Sequence, residues 1–454
     1  MSNGYFGKVL WIDLSKEKFH EEKLSEDIYR QYLGGYGLAC KLIYDNMPSK
    51  IDPLGAEAII GYFPGLLTGT IAPLSGRYMT AGKSPLTGTW GDANSGGYFG
   101  PEIKRCGYDG ILVKGIFNNP KYIMIIDGEK EFIDASDLWG LDSVKTEEEL
   151  KNKHGNVRIA CIGTAGEKLS LISGIVNDKG RIAARCGLGA VMGSKKLKAL
   201  ALQGKEKVQI ADKESLLNAT KQYNNDMKYS HAITLYRNLG TSGLNVAAGQ
   251  SGDSPVKNWG GSSIDDFPIE KLENISGEEL NKYKQKEYGC FSCAVQCGGI
   301  LKVPELDIEE THLPEYETCA SFGNLLLNED LLSIIKINDL CNRAGIDTIS
   351  TGGTVAFAIE CFENGILTKE DTDGLELKWG NSQAIIELVK KIINRVGIGD
   401  ILADGSKRAS EKIGKGSEKY TMHSMGQELA MHDAKFFKSL GMSYAFDPTP
   451  GRHT

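Results

Sequence analysis

Residues 177–199 read NDKGRIAARCGLGAVMGSKKLKA, with Arg181 and Arg185 set ahead of Gly187, Gly189 and Gly193. The spacing comes close to the G-x-G-x-x-G loop of dinucleotide-binding folds, but the third glycine falls one position late. No acidic residue closes a β-α-β unit behind it, so the dinucleotide fingerprint fails. A second stretch of the same texture lies upstream. Arg77 sits in APLSGRYMT, just before KSPLTGTWGDANSGGYFG, which carries Asn94, Gly96 and Gly97. Glycine has no Cβ, so another group can approach the backbone closely there. Arginine and asparagine offer the donors that hold phosphates or heterocycle edges. Two readings stand at this point: the loops cradle a phosphate-bearing cofactor, or they are ordinary tight turns.

Working outward, short apolar runs lie between these glycine-rich turns: Val9–Leu14, Tyr122–Ile126, Val157–Ile162 and Ala199–Leu202. Such runs read as strands. Residues 1–208 are therefore expected to form a mainly-β domain whose loops let another group approach the backbone closely. Beyond it the texture turns helical. Asn328 is the expected N-cap of a helix carrying Leu331, Leu332, Ile334, Ile335, Leu340 and Cys341 and ending at Gly345. Val355–Phe362 stops at Asn364-Gly365, and an apolar stripe from Ile385 to Ile393 ends by Gly397. Residues 209–420 thus read as a mainly-α domain, and 421–454 as the start of another. The fold class is α+β, a mainly-β base domain followed by mainly-α domains, the last incomplete.

Of 454 residues, 41% are hydrophobic and 24% charged, with a net charge of −7. This is globular composition without the basic footprint of a nucleic-acid binder. No apolar run of about 18 residues or more occurs, so no membrane-spanning helix is expected. The N-terminus has no secretory pattern. The 10 cysteines then suit a reducing, cytoplasmic setting, where clustered thiols are metal ligands more often than disulfides. Cys290, Cys293 and Cys297 form a C-x-x-C-x-x-x-C run. An iron–sulfur cluster, a zinc site and three incidental cysteines are the readings open. Zinc needs four ligands, and no second close pair is present. A cluster also needs a fourth ligand, which is missing, distant or replaced.

ANSGGYFG, GAVMGSKKLKA, the cysteine run, PEYE (314–317) and GIDTISTGGT (345–354) occur in the order seen in the aldehyde:ferredoxin oxidoreductase family. The chain resembles that family from Gly7 to Thr454. The resemblance implies a bis-pyranopterin tungsten (or molybdenum) cofactor lying on the β base and enclosed by the helical domains. Arg77, Asn94 and Gly96 would contact one pterin. Arg181, Ile182 and Arg185 would lie at the other, or at the Mg2+ bridging the pterin phosphates, with the Asn94 and Ile182 carbonyls as its ligands. Asn342, Ile346 and Asp347 match a D-x-x-G-L-D motif that binds pterin amines, with Asn for the first Asp and Ile for Leu. Cys290, Cys293 and Cys297 would hold a [4Fe-4S] cluster. Glu317 and His453 match the acid–base residues beside the metal. Lys336 and Ile386 replace the Glu and His that bridge subunits in some members, so that metal is not expected, although a homodimer is allowed.

The implied activity is oxidation of an aldehyde to its acid, with electrons passing through the cluster to ferredoxin. An aromatic acyl-CoA reductase-type subunit and a non-catalytic fragment or scaffold are the alternatives. The resemblance also implies more chain after His453, including the fourth cluster cysteine. A second polypeptide or a recoded stop would supply it.

Overall fold

The computed structural model describes residues 3–453; Thr454, the last residue of the expected third segment, lies outside them. The chain forms two compact units. The first comprises residues 1–230, 289–294 and 342–345, and the second comprises 231–288, 295–341 and 346–454.

The first unit is built on two six-stranded sheets. One contains β1 (Lys8–Asp13), β2 (Lys18–Lys23), β3 (Ile60–Pro64), β4 (Tyr78–Lys83), β5 (Trp90–Ser95) and β6 (Ile111–Lys114), in the order β2-β1-β6-β3-β4-β5. The other contains β7 (Lys121–Ile126), β8 (Glu129–Asp134), β9 (Arg158–Cys161), β10 (Ile175–Asn177), β11 (Arg181–Ala183) and β12 (Leu197–Gln203), in the order β11-β10-β9-β12-β7-β8. Period-2 alternation gives each sheet two buried faces. On β7, Ile123 and Ile125 enter one core, while Tyr122 joins a different one with Leu150 of the helix Ser143–His154. The inner core also takes Phe99 and Ile103 from the helix Phe99–Arg105, and Leu188, Val191 and Met192 from the helix Leu188–Ser194. The helix Tyr36–Asn46 covers the outer side of the first sheet through Leu38, Leu42 and Ile43.

All four strand runs read from sequence are strands, within a residue or two at their ends. Most of the other strands escaped that reading. β4 (YMTAGK) and β5 (WGDANS) interrupt their strand formers Tyr78, Thr80 and Trp90 with glycine and short polar residues, so neither forms a clean apolar run. Antiparallel pairing of β4 with β3 on one side and β5 on the other holds them in place.

The second unit is mainly helical, with a three-stranded antiparallel sheet of β13 (Lys284–Tyr288), β14 (Gly298–Val303) and β15 (Ile308–His312). One expected helix cap needs correction. The helix Leu331–Ala344 starts at Asp330, whose Oδ1 accepts from Ser333 N at 3.2 Å. Asn328 sits two residues too early, and its Oδ1 accepts from Asp330 N instead. The next helix is longer than its apolar core, running Thr348–Glu363 with Asp347 as N-cap. The architecture is α+β, β-rich first and helical afterwards.

Candidate functional site

In the first unit the expected ligand-holding residues gather around β5. Asn94 lies on this strand, and its Oδ1 accepts from Arg77 Nε at 2.7 Å and from Arg77 Nη2. β11, which carries Arg181 and Ile182, packs against β5 at its far edge, as does the turn Arg185–Gly187. That turn is pinned by Ser84 Oγ, which donates to Cys186 O at 2.9 Å. One guanidinium and an amide thus meet on this strand, and the segments that carry two further arginines pack against it. This donor set fits an anionic, nitrogen-rich heterocycle with phosphates.

The cysteine loop is seated on the same place. Phe291 N donates to Gly97 O at 3.1 Å, and Leu74 N donates to Ser292 O at 2.8 Å. A Cβ on Gly96 would lie 2.6 Å from Cys290 Sγ and 3.5 Å from Arg77 Nη1. Only glycine lets the sulfur approach this backbone. Gly97 is equally constrained: its φ is +91°, and a Cβ there would fall 2.0 Å from Asp178 Oδ2.

Two residues that the sequence reading passed over hold this arrangement. Asn177 Nδ2 donates to Gly96 O at 2.9 Å, while its Oδ1 accepts from Ser95 Oγ at 2.8 Å and Tyr78 Oη at 3.2 Å. Asp178 Oδ2 accepts from Tyr98 N at 2.8 Å. Both stand at the head of the 177–199 stretch, in an Asn-Asp-Lys-Gly turn that reads as loop chemistry and hides its distant partners.

Cys290 and Cys293 belong to the first unit, and Cys297 to the second, just before β14. The left-handed φ of Ser292 (51°) winds the segment tightly after Cys290. The other cysteines behave differently. Burial pushes the thiols of Cys106, Cys161, Cys319 and Cys361 up to about 12, which keeps them protonated as small core hydrophobes rather than thiolate ligands.

Asn342 lies in the first unit, where its carbonyl accepts from Ser143 Oγ at 2.9 Å; Gly345 O accepts from Gly174 N at 2.8 Å. Ile346 and Asp347 lie in the second unit. The Asp347 carboxylate caps its helix, accepting from Ile349 N and Ser350 N at 3.2 Å each.

Within the second unit, Glu317 and His453 come together although 136 positions separate them in sequence: Glu317 Oε1 is 3.4 Å from His453 Nε2. Glu317 stands in the first turn of the helix Tyr316–Phe322. Its Oε2 is fixed by Met431 N at 2.8 Å, while Oε1 is shielded from solvent and makes no hydrogen bond. His432 is the third member, with Nε2 3.7 Å from the same oxygen. These three make up the cluster of metal-competent side chains found among the described residues. The sequence reading missed His432, because MHDAK carries no spacing signal that links it to Glu317.

Comparisons with known proteins bear on the same regions. A family model described as "Aldehyde ferredoxin oxidoreductase, N-terminal domain" matches residues 9–204, and one described as "Aldehyde ferredoxin oxidoreductase, domains 2 & 3" matches 218–454. The chain is 39% identical to the "Tungsten-containing aldehyde ferredoxin oxidoreductase" of Thermococcus kodakarensis, across 99% of this chain and 74% of that protein. It is 31% identical to the "Aliphatic sulfonate oxidoreductase, WOR-like subunit" of Pyrococcus furiosus, across 99% and 75%. Among solved structures, the active-site complex BamBC of benzoyl coenzyme A reductase with 1,5-dienoyl-CoA contains a chain that superposes with a TM-score of 0.85. That chain is 28% identical, with 95% of this chain and 67% of the other covered.

Proposed function

Because the chain belongs to the aldehyde ferredoxin oxidoreductase family and is an oxidoreductase, we propose that it oxidises an aldehyde to a carboxylic acid at a paired-pterin tungsten (or molybdenum) centre. Two electrons would leave through a [4Fe-4S] cluster on Cys290, Cys293 and Cys297 to ferredoxin. The observation that carries this reading is the seating of Cys290 on Gly96, beside Arg77. It supports the reading because the thiol that would hold the cluster lies against the loop whose donors would suit the pterin.

Arg77, Asn94, Arg181 and Arg185 would hold the pterins and their phosphates, and the Asn94 and Ile182 carbonyls a bridging Mg2+. Asn342, Ile346 and Asp347 would face pterin amines. The bound metal–pterin group would supply the two-electron chemistry. The remaining work falls to this chain's side chains. Aldehyde plus water becomes acid, releasing two electrons and two protons. Glu317 Oε1 accepts a proton, since its partner oxygen is already committed to Met431 N. His453 Nε2, 3.4 Å away, shares that proton and orients the carboxylate. The shielding of Oε1 keeps bulk water from competing for it.

The test is turnover of a panel of aliphatic and aromatic aldehydes by natively expressed, metal-loaded protein, with a one-electron dye as acceptor. Acid formation is expected. A metal-loaded protein that oxidises none of them would refute the reading. The likeness to the benzoyl-CoA reductase chain favours a second reading, reduction of an aromatic thioester. Dye-linked reduction of such a thioester, with aldehydes inert, would establish it instead.

A further inference from the structure

His432 stands between two carboxylates. Its Nδ1 lies 2.8 Å from Asp253 Oδ2, and its Nε2 lies 3.7 Å from Glu317 Oε1. The ring is clamped by Tyr316, at 4.9 Å between ring centroids, and by His453, at 5.1 Å. The backbone on both sides is fixed as well. Tyr444 Oη donates to His432 O at 2.7 Å, and Asp433 N donates to Asp253 O at 2.5 Å. An ionised carboxylate has no hydrogen to give, so the ring must donate Nδ1–H to Asp253. In the neutral ring, Nε2 then presents a lone pair toward Glu317 Oε1, which is itself buried without a hydrogen bond. Two acceptors facing one another are satisfied by a hydrogen shared between them.

We propose that Asp253 and His432 form a proton-positioning pair behind Glu317. Asp253 fixes the ring in the Nδ1–H tautomer. His432 Nε2 then takes the proton that Glu317 Oε1 has accepted. The O–H bond on Glu317 breaks, an N–H bond forms on His432, and the imidazolium is held between two carboxylates until Nε2 passes the proton to water. The combined charge of Glu317 and His432 does not change in the step. The groups facing His432 are Asp253, Glu317, His453 and Tyr316, so each belongs in any account of its pH response. The proposal rests on Glu317 as the proton acceptor, and it makes His432 a positioning residue rather than one that touches substrate.

Selective 15N-histidine labelling of the intact protein reads the tautomer without reference to activity. Nδ1–H is expected on His432 in the parent, with the signal assigned by its loss in His432→Gln, and Nε2–H is expected in Asp253→Asn. In metal-loaded protein, His432→Gln should lower kcat about tenfold or more while KM stays within about twofold. Exogenous imidazole should restore turnover several-fold in His432→Gly, which a merely structural role would not allow. An Nε2–H tautomer in the parent, or unchanged kcat in a folded His432→Gln protein while Glu317→Gln is inactive, would overturn the pair alone. A fully active Glu317→Gln protein would overturn both this pair and the acid–base reading beneath it. A zinc ion retained stoichiometrically by the parent and lost in His432→Gln would replace the relay with a metal site.

Discussion

Gly96→Ala tests the contact on which the proposed electron path depends. The added Cβ would stand 2.6 Å from Cys290 Sγ, whereas ordinary contact begins at 3.4 Å, so the sulfur must retreat by about 0.8 Å. The cysteine loop resists that shift, because Phe291 N is bonded to Gly97 O and Ser292 O to Leu74 N. Lifting the loop sacrifices bonds worth about 1 kcal/mol each, and pressing against it costs about 1–3 kcal/mol. Either route should lower Tm by roughly 2–12 °C in a unit of this size. The functional cost is larger, since metal–sulfur bonds tolerate displacements of only about 0.2 Å. Iron should fall from about four per chain to less than half that. Gly88→Ala is the control. Gly88 has a φ of +76° but nothing within 4 Å of an added Cβ, so the substitution should cost backbone strain and leave the iron untouched. A Gly96→Ala protein with full iron and parental Tm would refute the reasoning.

Other perturbations probe the scaffold and the acid–base site. Lys104 and Asp109 form a buried ion pair at 2.6 Å, each 2% exposed, and Asp109 also accepts from Tyr29 Oη and Gly7 N at 2.8 Å each. Lys104→Met should therefore destabilise the fold by about 3 kcal/mol in chemical denaturation, and adding Asp109→Asn should recover part of that loss. Burial lowers the Lys195 amine to about 8, with Gly55 O and Gly115 O its nearest acceptors at 3.4 and 3.3 Å. The folded state thus prefers the neutral amine, while the unfolded chain keeps its proton to about 10.4. The penalty is complete below about pH 8 and is relieved as pH rises toward 10.4. The stability difference between Lys195→Met and the parent should shrink by on the order of 3 kcal/mol over that window, and a pH-independent difference would contradict the cause assigned. Glu317→Gln should cost about 100-fold or more in kcat with little change in Tm, checked by dye-linked turnover and calorimetry.

Much of this was legible in the sequence where a local rule governs. Apolar runs between glycine-rich turns located β1, β7, β9 and β12, and apolar stretches located the helices Leu331–Ala344, Thr348–Glu363 and Ser382–Asn394. Glycine runs marked the loops around β5, although a glycine in a sequence does not say what approaches it. The contact of Gly96 with Cys290 spans 194 positions and exists only because residues 289–294 join the first unit. Asn177, Asp178, Asp253 and His432 were invisible for a related reason. Each acts through partners far away in sequence, and none stands in a spacing that betrays them. The resemblance to a family supplied Glu317 and His453, which no local spacing signals.

The central claim is that the loops around β5 and the cysteine loop seated on them hold a metal–pterin group and an electron relay in one chain. Elemental analysis of natively expressed, purified protein tests it most directly. The account predicts tungsten or molybdenum together with about four iron per chain, the iron lost in Cys290→Ser. A folded protein that carries neither metal would contradict it.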